Sequence, residues 1–168
     1  MNEAIFHVIN NFAGQWQTLD LLGIFFADKF LYVFVLIVIV LWFRKSLRYH
    51  VYLALGSALF SRVLIVELIK KLVNQPRPYE ILANTRQLIV DNEPNMSFPS
   101  GHTVIYFSLA FAFWGTEYFW PYIIMATIGS LARVFVGLHF PFDIGASFII
   151  AGVTVLVFKR LFKNPSLS

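Results

Sequence analysis

Five apolar runs, separated by short polar segments, constrain this chain more than any other feature. They are Leu19–Phe43, Tyr49–Val73, Thr103–Trp114, Trp120–Val136 and Asp143–Phe162. A helix needs about 20 apolar residues to cross the hydrocarbon core of a bilayer, within a range of about 17–25. Four runs reach that range. Thr103–Trp114 is short by this measure and is expected to gain a turn at each end. In lipid every backbone polar group must be paired internally, so such runs fold as helices. Composition points the same way: the 168 residues are 58% hydrophobic and 13% charged. A soluble domain is roughly 45–50% apolar and about 25% charged, and one core of this size cannot hide the excess. The expected fold is all-α: an integral membrane bundle of five transmembrane helices, or six if the N-terminal region supplies another. It forms one membrane-embedded domain over residues 1–168.

Two further features refine this picture. In Glu3–Phe12, Ile5, Phe6, Ile9 and Phe12 recur at helical spacing, with Asn10 and Asn11 between them. The segment is too short to span and reads as an interfacial amphipathic helix, a frayed terminus being the alternative. Met1-Asn2-Glu3 lacks the basic stretch of a signal peptide. The absence of cysteine excludes disulfides and thiolate metal sites.

The net charge of +4 arises from 13 basic and 9 acidic residues. The basic residues stand at the ends of apolar runs, which argues for membrane topology and against nucleic acid as a partner. Arg44, Lys45, Arg48, Lys159, Arg160 and Lys163 gather on one side of the expected bundle. Lys29, Lys71 and Arg86 are on the other, once candidate anion ligands are set aside. The first side is therefore expected to be cytoplasmic.

The longest polar stretch, Gln75–Ser100, carries Pro76, Pro78, Pro94 and Pro99 with Asn84, Asn92 and Asn95. Loops of this length inside compact domains are usually functional or disordered. Chemically equipped residues bound this one at both ends. Three clusters stand out: Lys70 with Arg77-Pro78; Pro99-Ser100-Gly101-His102; and Arg133, His139 and Asp143. Singly, each has a bland reading. A lysine at a helix end is normally a snorkelling anchor, Ser-Gly-His is a common helix start, and a histidine near an aspartate is often structural.

Topology joins them. Consecutive spans alternate direction, so the end of the second, the start of the third, the end of the fourth and the start of the fifth share one membrane face. The chemistry there is that of an anion cradle. Lys70, Arg77 and Arg133 supply three cations, two of them planar forks suited to phosphate oxygens. Ser100 adds a hydroxyl, and Gly101 opens a helix whose N–H groups attract anions. Asp143, one turn after His139, can fix the tautomer of that ring and leave its other nitrogen free to attack. His102 can protonate a leaving oxygen. Two histidines and a carboxylate also suit a metal, but the surrounding cations would repel a divalent ion. Arg62 and Glu67 lie within the second run, at membrane depth, where ionisable groups have a function or a partner. Glu67 precedes Lys70 by one turn and can orient it; the alternative is an ion pair with another helix.

These clusters resemble the signature of the type 2 phosphatidate phosphatase superfamily: Lys-x6-Arg-Pro, Pro-Ser-Gly-His, and Ser-Arg-x5-His-x3-Asp. Lys70 to Pro78 and Pro99 to His102 match in full. Arg133, His139 and Asp143 match the third, with Ala132 in place of the usual serine. The resemblance implies a helical bundle, a phosphohistidine intermediate on His139, His102 as general acid, and no metal or other cofactor. Lys70, Arg77, Ser100, Gly101 and Arg133 are the residues expected around the phosphate, with Glu67 and Pro78 as candidate supporting residues.

Length, Asn10-Asn11 and Leu19-Asp20 resemble the small bacterial undecaprenyl-diphosphatases. That likeness implies hydrolysis of undecaprenyl diphosphate to undecaprenyl phosphate and phosphate, in cell-wall biogenesis and bacitracin resistance. The partners expected are a lipid phosphate or diphosphate and membrane lipids, at an extracytoplasmic site in the cell membrane. A phosphatidate or phosphatidylglycerophosphate phosphatase, a lipid phosphotransferase and a non-enzymatic anion transporter or scaffold are the alternatives.

Overall fold

A computed structural model describes residues 1–90 and 96–162. Among these residues every regular element is helical. Helix α1 is Asn2–Asn10. Helix α2 is the rod Gln17–Phe43, with a π-helical turn at Phe25–Lys29 and a closing 3-10 turn at Leu41–Phe43. Helix α3 covers residues 48–73 and contains a second π-helical turn, Ser61–Val66. The short α4 is Pro78–Ile81, followed by α5 at Gly101–Phe111, α6 at Phe119–Phe135 and α7 at Pro141–Leu161.

Among the described residues, three helical stretches are long and apolar enough to cross a membrane: Gln17–Phe43, Lys45–Ile81, which contains α3 and α4, and Pro141–Leu161. The shorter apolar helices α5 and α6 complete the bundle. The five expected runs therefore correspond to α2, α3, α5, α6 and α7.

Helix α5 is the central strut. It packs against α2, α3, α6 and α7, and Gly101, Thr103, Val104, Tyr106, Phe107, Ser108, Leu109 and Ala110 are all buried along it. A helix apolar on every side belongs inside a bundle. Longer neighbours sheathe α5, which is why an eleven-residue helix suffices. Small residues let the helices approach, as membrane packing requires. A Cβ placed on Gly129 of α6 would stand 2.7 Å from the Tyr106 ring. Ser61 of α3 meets Ser108 of α5 at 3.4 Å between hydroxyl oxygens. Tyr106 stacks between Phe30 and Phe34, which continue through Tyr122 to Phe113.

The two ends of the bundle differ in charge and shape. Arg44, Lys45, Arg48, Lys159 and Arg160 mark one end. There Arg44 donates to the Tyr118 hydroxyl at 2.5 Å, and the Arg48 guanidinium lies 5.7 Å from the centre of the Trp42 ring. Lys163 lies outside the described residues.

The other end is capped by loops and α1. Asn10 is fully buried. Its amide nitrogen donates to the carbonyls of Arg86 and Phe135, each at 2.8 Å, and its oxygen accepts the Arg86 N–H at 2.8 Å. Phe6 is buried against Val134 and Phe140, while Ile5, Val8 and Phe12 remain exposed. The helix expected at Glu3–Phe12 thus forms, with one face docked on α6 and α7. It clamps the segment around Arg86 over the bundle end. Of the long polar stretch, residues 91–95 lie outside the described residues.

Candidate active site

The loop-capped end is where the three sequence clusters arrive, and local chain chemistry explains how. Asn74 stops α3 in a left-handed conformation (φ 45°) and turns the chain toward Gln75 and Arg77. Pro78 occupies the first position of α4, where its missing N–H costs nothing. The backbone N–H of Arg77 donates to Glu80 at 2.9 Å and fixes that turn. Ser100 caps α5, its hydroxyl oxygen accepting the Thr103 N–H at 3.4 Å. Gly137 ends α6 at φ +85°, and a Cβ there would stand 2.7 Å from the Arg86 carbonyl oxygen. A bulkier residue would push away the chain that α1 holds in place. Two residues on comes His139, then Pro141 as the first residue of α7.

His139 is 2% exposed and sits between two one-way partners. Its Nδ1 lies 2.8 Å from the Ser97 carbonyl oxygen, and its Nε2 lies 3.4 Å from Nη2 of Arg133. A carbonyl only accepts and a guanidinium only donates. Nδ1 therefore carries the proton, and Nε2 presents its lone pair toward Arg133. Burial first, and then the charges of Arg133, Arg77 and Lys70, push this imidazole well below its ordinary pKa. The ring is neutral at pH 7.

Asp143 holds a different position from the one its spacing suggests. Its Oδ2 is 3.6 Å from Nδ1 of His139, beyond a hydrogen bond. That oxygen instead accepts the Phe140 N–H at 2.8 Å and a short bond from the Ser97 hydroxyl. The amide of Gln75 reaches the other carboxylate oxygen at 3.4 Å. The physical reason is local. Asp143 is the third residue of α7, where an acidic side chain satisfies the exposed N–H groups of the helix start. The carboxylate thus grips Ser97 by its side chain, and Ser97 holds the histidine by its carbonyl.

The remaining site residues surround this pair. Arg77 (1% exposed) donates toward the Leu138 carbonyl at 3.4 Å, fixing the turn before His139. Arg133 (4% exposed) donates to the Ala27 carbonyl at 3.1 Å. Ala27 lies in the π-turn of α2, and Phe26 in the same turn accepts the Tyr106 hydroxyl at 3.0 Å. A π-turn departs from the i→i−4 ladder of an α-helix. Here the carbonyls of two of its residues serve side chains from α5 and α6. His102 is half-buried and lines a cavity of about 260 Å³ together with Arg133, Asp28, Tyr32, Ile89, Val90 and Leu138.

Lys70 is buried at the end of α3. Glu67 pairs with Arg62, within its own helix, rather than with another helix. The two residues are five apart, a spacing that the intervening π-turn brings onto one face. Gly101 serves a close approach of that arginine, since a Cβ there would stand 2.7 Å from Arg62 Nε.

Three contributors had no signature in the sequence. Ser97 and Gln75 attach to Asp143. Ser147 accepts the Ser100 N–H at 2.9 Å and donates to the Asp143 carbonyl at 2.6 Å, so it ties the start of α5 to α7. Among the described residues, no three or more His, Cys, Asp or Glu side chains stand together as metal ligands would.

The sequence pattern of the PAP2 superfamily matches residues 51–166, which include every residue of the three clusters. The chain belongs to the PAP2 superfamily. Undecaprenyl-diphosphatase BcrC of Bacillus subtilis (strain 168) is 28% identical over 164 residues, covering 95% of this chain and 83% of that protein. The crystal structure of Aquifex aeolicus LpxE matches at a TM-score of 0.80 and 26% identity, over 95% of this chain and 94% of that one. A transmembrane PAP2-type phosphatidylglycerolphosphate phosphatase from Bacillus subtilis shares the fold, at a TM-score of 0.68 and 20% identity over 95% of this chain and 83% of the other. This PAP2 chain is accordingly a multi-pass membrane lipid phosphatase.

The Asp143 arrangement yields a stability prediction. Asp143→Ala orphans the buried Ser97 hydroxyl and the Phe140 N–H, at a cost of about 1–3 kcal/mol for each. Asp143→Asn keeps an oxygen acceptor and should cost less. Thermal unfolding of the detergent-solubilised protein should rank wild type above Asn and Asn above Ala. Equal midpoints for wild type and Asp143→Ala would contradict the role given to this carboxylate.

Proposed function

We propose that this membrane phosphatase hydrolyses a polyprenyl diphosphate, with undecaprenyl diphosphate as substrate and undecaprenyl phosphate and inorganic phosphate as products. The observation that carries the mechanism is the enforced tautomer of His139. With Nδ1–H held by the Ser97 carbonyl, Nε2 is the nucleophile, and its lone pair already faces Arg133. A phosphoryl group arriving at Nε2 would meet that guanidinium at once. Lys70, Arg77 and the N–H groups at the start of α5 complete the cradle, so charge developing on the equatorial oxygens is met by fixed donors. Ser100 accepts from Thr103 through its oxygen, which leaves its proton to donate.

Asp143, 3.6 Å from Nδ1, offsets the positive charge that the ring acquires when Nε2 is phosphorylated. His102 lines the same cavity as Arg133 and acts as the general acid. The cations supply what a divalent ion would otherwise provide, so the reaction runs without metal. One observation favours the prenyl diphosphate over the phosphatidate and phosphatidylglycerophosphate alternatives: the relative named undecaprenyl-diphosphatase aligns over nearly the whole chain.

The test is phosphate release from purified protein in excess chelator. The panel comprises C55-prenyl diphosphate, phosphatidate and phosphatidylglycerophosphate. The proposal expects the prenyl diphosphate to have the highest kcat/KM and chelator to leave the rate unchanged. A preference for either glycerolipid, or activity restored only by magnesium, would overturn it.

The basic residues at the far end of the bundle support a site that faces away from the cytoplasm. The natural chain has no cysteine, so single replacements report cleanly. Ala83→Cys, exposed on the site end, should react with an impermeant thiol reagent in intact cells. Ser46→Cys, exposed at the other end, should react only after lysis. The reverse pattern would invert the topology.

A further inference from the structure

Arg62 is a charged side chain beside the site to which the mechanism assigns no task. Arg62 lies in the π-turn Ser61–Val66 of α3, and π-turns inside α-helices frequently mark functional positions. Its side chain runs along the first residue of α5. A Cβ on Gly101 would stand 2.7 Å from its Nε and 3.3 Å from its Cζ. The guanidinium therefore lies over the residue that precedes His102. It is also more accessible than its counterparts: the Arg62 side chain is 27% exposed, whereas Arg77 and Arg133 are buried residues. Its partner Glu67 is 40% exposed, so the ion pair borders open space rather than filling the core. Ionisable groups at membrane depth carry a cost that function or pairing must offset.

We propose that Arg62 is a specificity-determining residue that holds the phosphate next to the lipid, and so distinguishes a diphosphate from a monophosphate headgroup. The inference rests on the reading that the substrate is a prenyl diphosphate. The chemistry fixes where each phosphate must sit. His139 Nε2 attacks the terminal phosphorus. The bond from that phosphorus to the bridging oxygen breaks, and the bonding pair leaves on the lipid monophosphate. His102 gives its proton to the departing oxygen. Water then cleaves the N–P bond, its proton returning to His102, and inorganic phosphate is released. Lys70, Arg77 and Arg133 gather at His139 and serve the terminal phosphate. The inner phosphate departs on the side of His102, whose cavity Arg133 also lines; Arg62, lying over the adjacent Gly101, is a further cation near that side. Its fork can take two oxygens of that group, and Glu67 holds it in place until the headgroup arrives.

The experiment compares Arg62→Ala, Arg62→Lys and Glu67→Gln with wild type. Each is assayed on C55-prenyl diphosphate and on a long-chain alkyl monophosphate. Inorganic diphosphate and orthophosphate serve as competitive inhibitors. A lost charge-assisted contact costs roughly tenfold to a hundredfold. Arg62→Ala should lower kcat/KM for the diphosphate by that factor more than for the monophosphate, and weaken inhibition by inorganic diphosphate more than by orthophosphate. Arg62→Lys, which keeps the charge and loses the fork, should fall between. Equal losses on both substrates would reduce Arg62 to a structural ion pair, and no loss would remove its role.

If Arg62→Ala lacks a cooperative melt, the Arg62→Lys inhibitor ratio decides, and an unchanged ratio overturns the inference. Wild type that cleaves the monophosphate but not the diphosphate would overturn the substrate reading, and this inference with it. Equal losses in a variant of a diphosphate-active wild type would overturn only the part given to Arg62.

Discussion

The buried carboxylate of Asp143 is the interaction on which the site depends. A charge removed from water is expensive unless donors surround it. Here they come from separate stretches of chain: Gln75 after α3, Ser97 before α5, and Phe140 before α7. Satisfying one carboxylate therefore draws three segments together. Ser97 then turns that knot into chemistry. Its hydroxyl is held by Asp143, and its carbonyl holds Nδ1 of His139. The tautomer of the ring is set through a backbone group, which cannot rotate away as a lone side chain can.

A second device works from the outside of the bundle. The π-turns in α2 and α3 each depart from regular helix at the depth of the site. One aims the carbonyl of Ala27 at Arg133. The other brings Arg62 and Glu67 onto a common face beside Gly101. A straight α-helix would keep those carbonyls in its own ladder and would place residues five apart on different faces. The helices that meet lipid on one side thus give up regularity on the other. Arg133 gains a fixed anchor, and a rigid donor is worth more to a developing negative charge than a mobile one.

Much of this was legible in the sequence, for physical reasons. Hydrophobic run length in lipid has few outcomes, so five helices and their order followed from it; four runs match their helices within two residues, whereas Thr103–Trp114, expected to gain a turn at each end, starts at Gly101 and already stops at Phe111. Alternating direction then placed Lys70, Arg77, Ser100, His102, Arg133, His139 and Asp143 at one end. Asp28 and Lys29 break the first apolar run where the π-turn forms. Spacing, however, cannot show which of several donors captures a carboxylate. Asp143 pointed to His139 by its one-turn separation, yet the N–H of Phe140 and the hydroxyl of Ser97 reach it first. Ser97, Gln75 and Ser147 belong to common residue types at no fixed spacing, so nothing marked them. Asn10 is similar: an asparagine in a short amphipathic segment gives no hint that it bonds to two backbone strands more than seventy residues away.

We propose that His139, whose Nε2 lone pair is left free by the Nδ1–H bond to the Ser97 carbonyl, forms a covalent bond to phosphorus while His102 moves protons. Rapid acid-free quench of the purified protein on labelled C55-prenyl diphosphate tests it directly, with wild type, His139→Ala and His102→Ala compared side by side. Acid-labile, base-stable phosphate is expected on the His102→Ala protein, where loss of proton transfer slows turnover by about 10²–10⁴-fold, and none on His139→Ala. Label on His139→Ala and none on His102→Ala would reverse the two roles. No label on any of the three, despite turnover by wild type, would contradict a histidine nucleophile altogether.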